Sequence, residues 1–208
     1  MKKLMILFAL FISFGANAQS DRYVAAMKKN LDLMDSAKTT QDFQNVSAAF
    51  SRIADAEKTQ WLPYYYAGLA LSTAGWIDPK LDKDANSEQI NAFCAKAEAI
   101  EKNAEISALK NMAATQAMLV DPQARWMSYG AKASQYLMEG MKQDPNNPRI
   151  YFLQASALLG TPEQFGGGKA VAKPLFEKSL LLFKTFKVLP LYPKWGEKAA
   201  LDGLAKCQ

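Results

Sequence analysis

The chain has 208 residues, with 25 Lys and Arg against 20 Asp and Glu, a formal charge of +5, and half of its residues hydrophobic. That length suits one domain with a sizeable core or one short repeat array, and the basic residues are scattered among acidic ones, so no nucleic-acid footprint stands out. No residue is a histidine, which excludes His-based general-base catalysis, Ser-His-Asp and Cys-His nucleophiles, and His-ligated zinc.

The chain opens with Lys2 and Lys3, an uncharged apolar run of 11 residues from Leu4 to Phe14, and the small-x-small triplet Ala16-Asn17-Ala18. This is the pattern of a cleaved secretory signal over residues 1–18, with a mature domain of residues 19–208 starting at Gln19. A span of about 30 Å of hydrocarbon needs ~20 apolar residues; the run is too short and no later one approaches that length. The sequence therefore predicts an exported protein, periplasmic or secreted, without stable membrane insertion after cleavage. No Cys follows the cleavage site to carry a lipoprotein anchor.

From there almost every segment carries the helical period, and strand alternation is absent. Ser20 or Asp21 caps a first helix to about Ala37, with Tyr23, Met27, Leu31 and Met34 on one face. Thr40 caps a second, Gln41 to Lys58, striped by Phe43, Val46, Phe50 and Ile53. Pro63 suits the first turn of a third, Tyr64 to Trp76, which is almost wholly apolar or small and so buried on more than one side. A polar loop over Ile77 to Ala85 follows, then helices over Ser87–Lys102, Ala104–Val120 behind the cap Asn103, Gln123–Gln143 and Arg149–Leu159. The last two run from Gly168 to Lys187, with Pro174 as a kink or late start, and from Lys194 to Lys206, past a connector punctuated by Pro190 and Pro193.

A period runs through these helices. Ala133, Leu137 and Gly140, then Pro145, are spaced 4, 3 and 5 apart, and the same template fits Ala49, Ile53, Ala56; Ile90, Cys94, Ala97; and Ala172, Phe176, Ser179. The registers start 41, 43 and 39 residues apart, the mark of a solenoid. Small positions let backbones approach and large ones fill the space between.

Over Ala133 to Ser179 the chain resembles the tetratricopeptide repeat family, with Tyr151 and Ala155 at the aromatic and small positions of the following first helix. The whole chain also looks like small exported repeat proteins of Gram-negative envelopes, whose Pro-Glu-Gln-Phe-Gly-Gly-Gly-Lys loop stands at Pro162 to Lys169. The resemblance implies an all-α fold: a right-handed α-solenoid of about four helix pairs with a C-terminal capping helix. It implies a non-enzymatic scaffold holding a protein or peptide partner on a concave face lined by the first helix of each pair. By register that face carries Tyr65, Ser72, Glu105, Met112, Gln116, Arg149, Phe152 and Ser156. The alternatives are a carbohydrate or small-ligand accessory in envelope assembly or nutrient uptake, and a carboxylate-based hydrolase, for which no pair of acids is singled out. No catalytic residue, metal ligand or cofactor is called for.

Four constellations remain. Gly166-Gly167-Gly168-Lys169 opens a helix, but Glu163 and Ala170 stand where a phosphate loop needs Gly and Ser or Thr; a tight turn with Phe165 tucked into the core is the expectation. Asp82, Asp84, Asn86 and Glu88 alternate, yet Ser87 and Phe93 break the calcium-loop template, leaving a solvated charged loop. Trp61, Tyr64, Tyr65, Tyr66 and Trp76, with Trp126 and Tyr129 later, are either core or a stacking groove. Three consecutive tyrosines point about 100° apart, so at least one is expected to reach a groove or solvent. Cys94 falls on a core register position, and Cys207 lies near the end of the cap. The expectation is no bridge between them, with Cys207 accessible and Cys94 not.

Overall fold

The structure, a computed structural model, describes residues 21–208. The signal sequence and the start at Gln19 lie outside the described residues. Within them the chain is all-α: α1 (21–36), α2 (Thr40–Ala56), α3 (Trp61–Ile77), α4 (Lys83–Glu98), α5 (Ala104–Met118), α6 (Pro122–Arg125), α7 (Ala131–Gln143), α8 (Pro148–Gly160), α9 (Lys169–Thr185) and α10 (Glu197–Ala205). A π-helical turn, Trp126–Gly130, joins α6 to α7.

Local chemistry explains where the helices begin. Thr39, one residue before the expected cap, accepts from the Asp42 amide while the Asp42 carboxylate accepts from the Thr39 amide, a reciprocal capping box. Asn103 caps α5 as expected, by accepting from the Ile106 amide. The predicted charged loop is largely the start of α4. Asp82 accepts from the amides of Asp84 and Ala85, and Asn86 and Ser87 are buried. An N-terminal acid there satisfies free amides and opposes the helix dipole, so a run that reads as solvated is a helix start. In α3, Pro63 occupies the first turn and residues 61–72 are all buried.

From α2 to α6 and from α7 to α10 each helix packs on its successor, and the π-helical turn bridges α6 and α7. The first helices of successive pairs, α3, α5 and α8, also touch in turn. The spacing template lands on buried residues in three helices: Ile90, Cys94, Ala97 in α4; Ala133, Leu137, Gly140 in α7; Ala172, Phe176, Ser179 in α9. In α2 it misses. Ala56 is exposed and Ala49 and Ile53 are half-buried; the buried row is Phe43, Val46, Ser47, Phe50 and Ala54, so the 4-and-3 spacing falls on Phe43, Ser47 and Phe50, six residues earlier.

Two surface expectations also change. The glycine turn holds, with Gly166 and Gly168 at φ 81° and 98°, the left-handed region that favours glycine. Phe165, however, stands 73% exposed, because the short 3-10 turn Glu163–Phe165 carries it off the helices. Cys94 and Cys207 are unbridged, and both are buried. The closing turn after α10 covers the Cys207 thiol, which donates to the Gly203 carbonyl at 3.4 Å. Among the described residues no helix is long and apolar enough to cross a membrane.

Candidate functional site

The face expected to receive a partner is already filled by the chain itself. After α9, residues 186–196 turn back as a strap and run over α3, α5 and α8. Tyr66 donates from its hydroxyl to the Leu191 carbonyl at 2.8 Å, and Trp195 donates from Nε1 to the Tyr65 hydroxyl at 2.8 Å. Arg149 donates to the Pro193 carbonyl. Leu191 takes φ 67°, an uncommon setting for a branched side chain, held by the Tyr66 bond and a turn from the Tyr192 amide to the Leu189 carbonyl. The Tyr192 ring meets Trp61 edge to face at 5.5 Å.

Five of the sequence-predicted residues fall into two hydrogen-bonded networks, the first beneath the strap. Glu105 of α5 lies at the centre of the first. Its carboxylate accepts from Arg149 Nη1 at 2.9 Å, Asn147 Nδ2 at 2.7 Å and the Tyr65 hydroxyl at 3.4 Å. Arg149 is 1% exposed, and its guanidinium packs among the rings of Phe183, Phe186 and Trp195 at 5.3–5.7 Å. Burial raises the Glu105 carboxyl above its ordinary range, while Arg149 and the hydrogen bonds pull it back. Burial likewise raises the Tyr65 hydroxyl well above its usual value, and the nearby Glu105 carboxylate adds to that. An acid and a base held this tightly to each other, under a cover, make an internal brace.

The second network joins Ser72 and Gln116. Gln116 Nε2 donates to the Ser72 carbonyl at 2.7 Å, and its Oε1 accepts from Asn86 at 3.2 Å. Gly75 leaves the room for this amide: a Cβ there would stand 2.2 Å from Gln116 Oε1. Met112 packs against the main core, Phe152 meets Phe176 and Trp195 ring to ring, and the Ser156 hydroxyl donates to the Phe152 carbonyl. Of the eight, Tyr65, Arg149 and Phe152 touch the strap, Glu105 lies behind Tyr65 and Arg149, and none of the eight is freely exposed. Tyr64, Tyr65 and Tyr66 are all buried, against expectation. The third direction, which one helix neighbour cannot cover, is covered by the strap.

The aromatics read as either core or a stacking groove divide: Trp61 and the three tyrosines are buried, while Trp76 and Trp126 stand exposed. Gln116 pairs with Ser72 near the C-terminal ends of α5 and α3. Trp76, Ile77, Leu119 and Val120, at the C-terminal ends of α3 and α5, are each 44–47% exposed. Trp126 and Met127, in the π-helical turn, are 62% and 72% exposed. Arg125 ties that turn to the ends of α4 and α5. It grips Asp84 through both nitrogens at 2.5 and 3.0 Å and donates to the Ala117 carbonyl at 3.0 Å, holding the Asp84 carboxyl below its usual range. Lys132 lies 5.2 Å over the Tyr129 ring, exposed and without an ion pair among the described residues. The signal that could have found this exposure is the bulky pair Trp126-Met127 falling in no apolar register of its helix.

No family model and no curated protein sequence matches the chain. Among solved structures it is similar to the HusA haemophore from Porphyromonas gingivalis, at 37% identity with a TM-score of 0.82, over 89% of this chain and 92% of that one.

Proposed function

The chain belongs to the family of the HusA haemophore, and from that premise we propose that it is an exported, non-enzymatic carrier of haem. The likeness runs across nearly the whole of both chains, and that observation carries the reading. The chemistry of the chain agrees with it in one particular. The chain has no histidine, and the faces of the macrocycle and its carboxylates suit apolar, aromatic and cationic side chains.

On this reading residues 19–208 form one tetratricopeptide-like unit delivered by the leader at 1–18, and the small-ligand accessory replaces the peptide scaffold. The support is local: residues 186–196 already occupy the part of the concave face over Tyr65, Tyr66 and Arg149. A protein partner would be the acceptor of the cargo. The test is a haemin titration of the purified protein, followed at the Soret band and by tryptophan emission. Saturable spectral change near equimolar haemin is expected; a titration indistinguishable from buffer overturns the reading.

A further inference from the structure

Helices α2 and α4 both pack against α3, and between them runs a cleft of about 420 Å³ that reaches Leu71 of α3. That volume falls within the range of small-molecule pockets, about 300–1,000 Å³. Three of its lining residues are buried: Leu71, Ser47 and Asn86. Buried polar side chains are normally satisfied within a fold. In this chain Thr73, Thr115 and Ser156 return their hydroxyls to the carbonyl four residues back. The Ser47 hydroxyl, on a residue only 4% exposed, makes no such bond and none to any other described residue. Asn86 donates from Nδ2 to the Leu71 carbonyl at 3.0 Å and to Gln116 Oε1 at 3.2 Å, while its Oδ1 accepts from no described residue. Neither oxygen is sealed from solvent.

The amides of Gln44 and Gln89 and the Ser51 hydroxyl line the same cleft, also without a partner among the described residues. Phe93, half-buried, is the one ring of the lining. The one charge is Asp82, whose Oδ1 caps α4 on the amides of Asp84 and Ala85. No cation lines the cleft, so its chemistry does not suit a carboxylate or a phosphate. Neutral hydroxyls, which both donate and accept, match free amides and hydroxyls, and an apolar C–H face matches Phe93 and Leu71. A sugar ring combines the two. The frame is fixed in advance, which lowers the cost of binding: the Thr40 hydroxyl donates to the Asp78 carboxylate at 3.1 Å, tying the start of α2 to the end of α3, and Asn86 anchors α4 to α3 and α5. The cleft between α1 and α2 differs. Its one buried lining residue is Val46, its Ser36 hydroxyl donates to the Leu33 carbonyl, and its Asp42 is held in the capping box.

We propose that the cleft between α2 and α4 binds a neutral sugar of one or two rings, at a site independent of the haem-carrier reading. Sugar hydroxyls meet Ser47 and the Asn86 Oδ1, Gln44 and Gln89 hold the outer hydroxyls, and Phe93 faces the C–H side of the ring. The test titrates the isotope-labelled full chain with glucose, N-acetylglucosamine and maltose, read by NMR at the side-chain amides of Gln44, Asn86 and Gln89. Saturable shifts at these amides with at least one of the three, at millimolar sugar, are expected. Ser47→Ala should weaken that sugar by about tenfold and melt no lower than the parent, since the hydroxyl it removes has no partner in the fold. Gln89→Ala, a change at an exposed position, should weaken it severalfold. Glucose phosphate should bind no tighter than glucose. No saturable shift with any of the three sugars overturns the site, as do equal shifts from ethylene glycol at matched hydroxyl concentration, which would mark a hydrated groove only. Parent-like affinity in both variants overturns the placement, and tighter binding of the phosphate overturns the neutral-ligand assignment.

Discussion

Gly140 marks where two helices come closest, and magnitudes decide what a change there does. A Cβ at this position would lie 2.4 Å from Ile150 Cδ1 and 3.3 Å from Ser107 Cβ. Alanine is favoured over glycine inside a helix by about 1 kcal/mol, but overfilling a packed joint costs roughly 1–3 kcal/mol. Ile150 is fully buried and has nowhere to swing. Gly140→Ala should therefore lose stability despite its better propensity, and Gly140→Leu should lose more, as read by urea denaturation. Glu105 and Arg149 obey a different rule. Removing one partner strands a buried charge at roughly 3–5 kcal/mol, so Arg149→Met should cost that much, and adding Glu105→Gln to it should restore part of the loss. The pH dependence follows from the raised Glu105 carboxyl. A carboxyl that holds its proton more tightly when folded stabilises the fold below the unfolded value of about 4.5, and that contribution is lost as pH rises through the folded value. Glu105→Gln should flatten this slope.

At the scale of elements, helix positions are legible in the sequence because the apolar period and the caps are local. Asn103, Pro63 and the Phe43–Phe50 stripe are read correctly for that reason. What fails is non-local. Asp82 to Glu88 reads as a loop because its acids look solvated, while the burial of Asn86 depends on Leu71 and Gln116 from two other helices. The three tyrosines read as too many for one core because the strap that covers them comes from 125 residues away. Of the eight expected concave-face residues, Tyr65, Glu105 and Arg149 form a brace beneath the strap, while Ser72 and Gln116 bond to each other elsewhere on α3 and α5. Whether Trp76 and Trp126 are core or surface is left open by the sequence for the same reason: nothing in either residue says whether a later segment folds over it, and both stand exposed. Element context also sets thiol reactivity. Cys94 sits inside α4 with its thiol pushed up to about 12 by burial, whereas Cys207 is covered by one closing turn at the chain end. A terminal turn opens locally and an internal helix does not. Native labelling with a thiol reagent should thus mark Cys207 slowly and Cys94 only at the rate of global unfolding; equal rates would contradict this.

Across the whole molecule, the strap changes how the array holds together. An array whose units touch only their neighbours unfolds unit by unit, each end on its own terms. Here Leu191, Tyr192 and Trp195, which follow α9, pack against the cluster built by α1 to α5 and bond to Tyr65 and Tyr66 of α3, so the last pair is fastened to the second. Breaking the C-terminal pair then exposes the rings of Trp61, Tyr65 and Tyr66, and the two ends gain a shared fate. Amide exchange in α3 and α10 of the parent should accordingly report transitions at one urea concentration. Tyr66→Phe removes one latch, worth about 1 kcal/mol, and Trp195→Ala removes the ring that closes over Arg149, about 2–3 kcal/mol for a side chain only partly buried. Much of that loss falls on the link between the ends rather than on either end alone. In the double variant α10 should open at lower urea than α3, so that one transition becomes two. Coincident transitions in the double variant would show that the pairs couple through α5 and α8 alone, and that the strap is a cover without being a fastener.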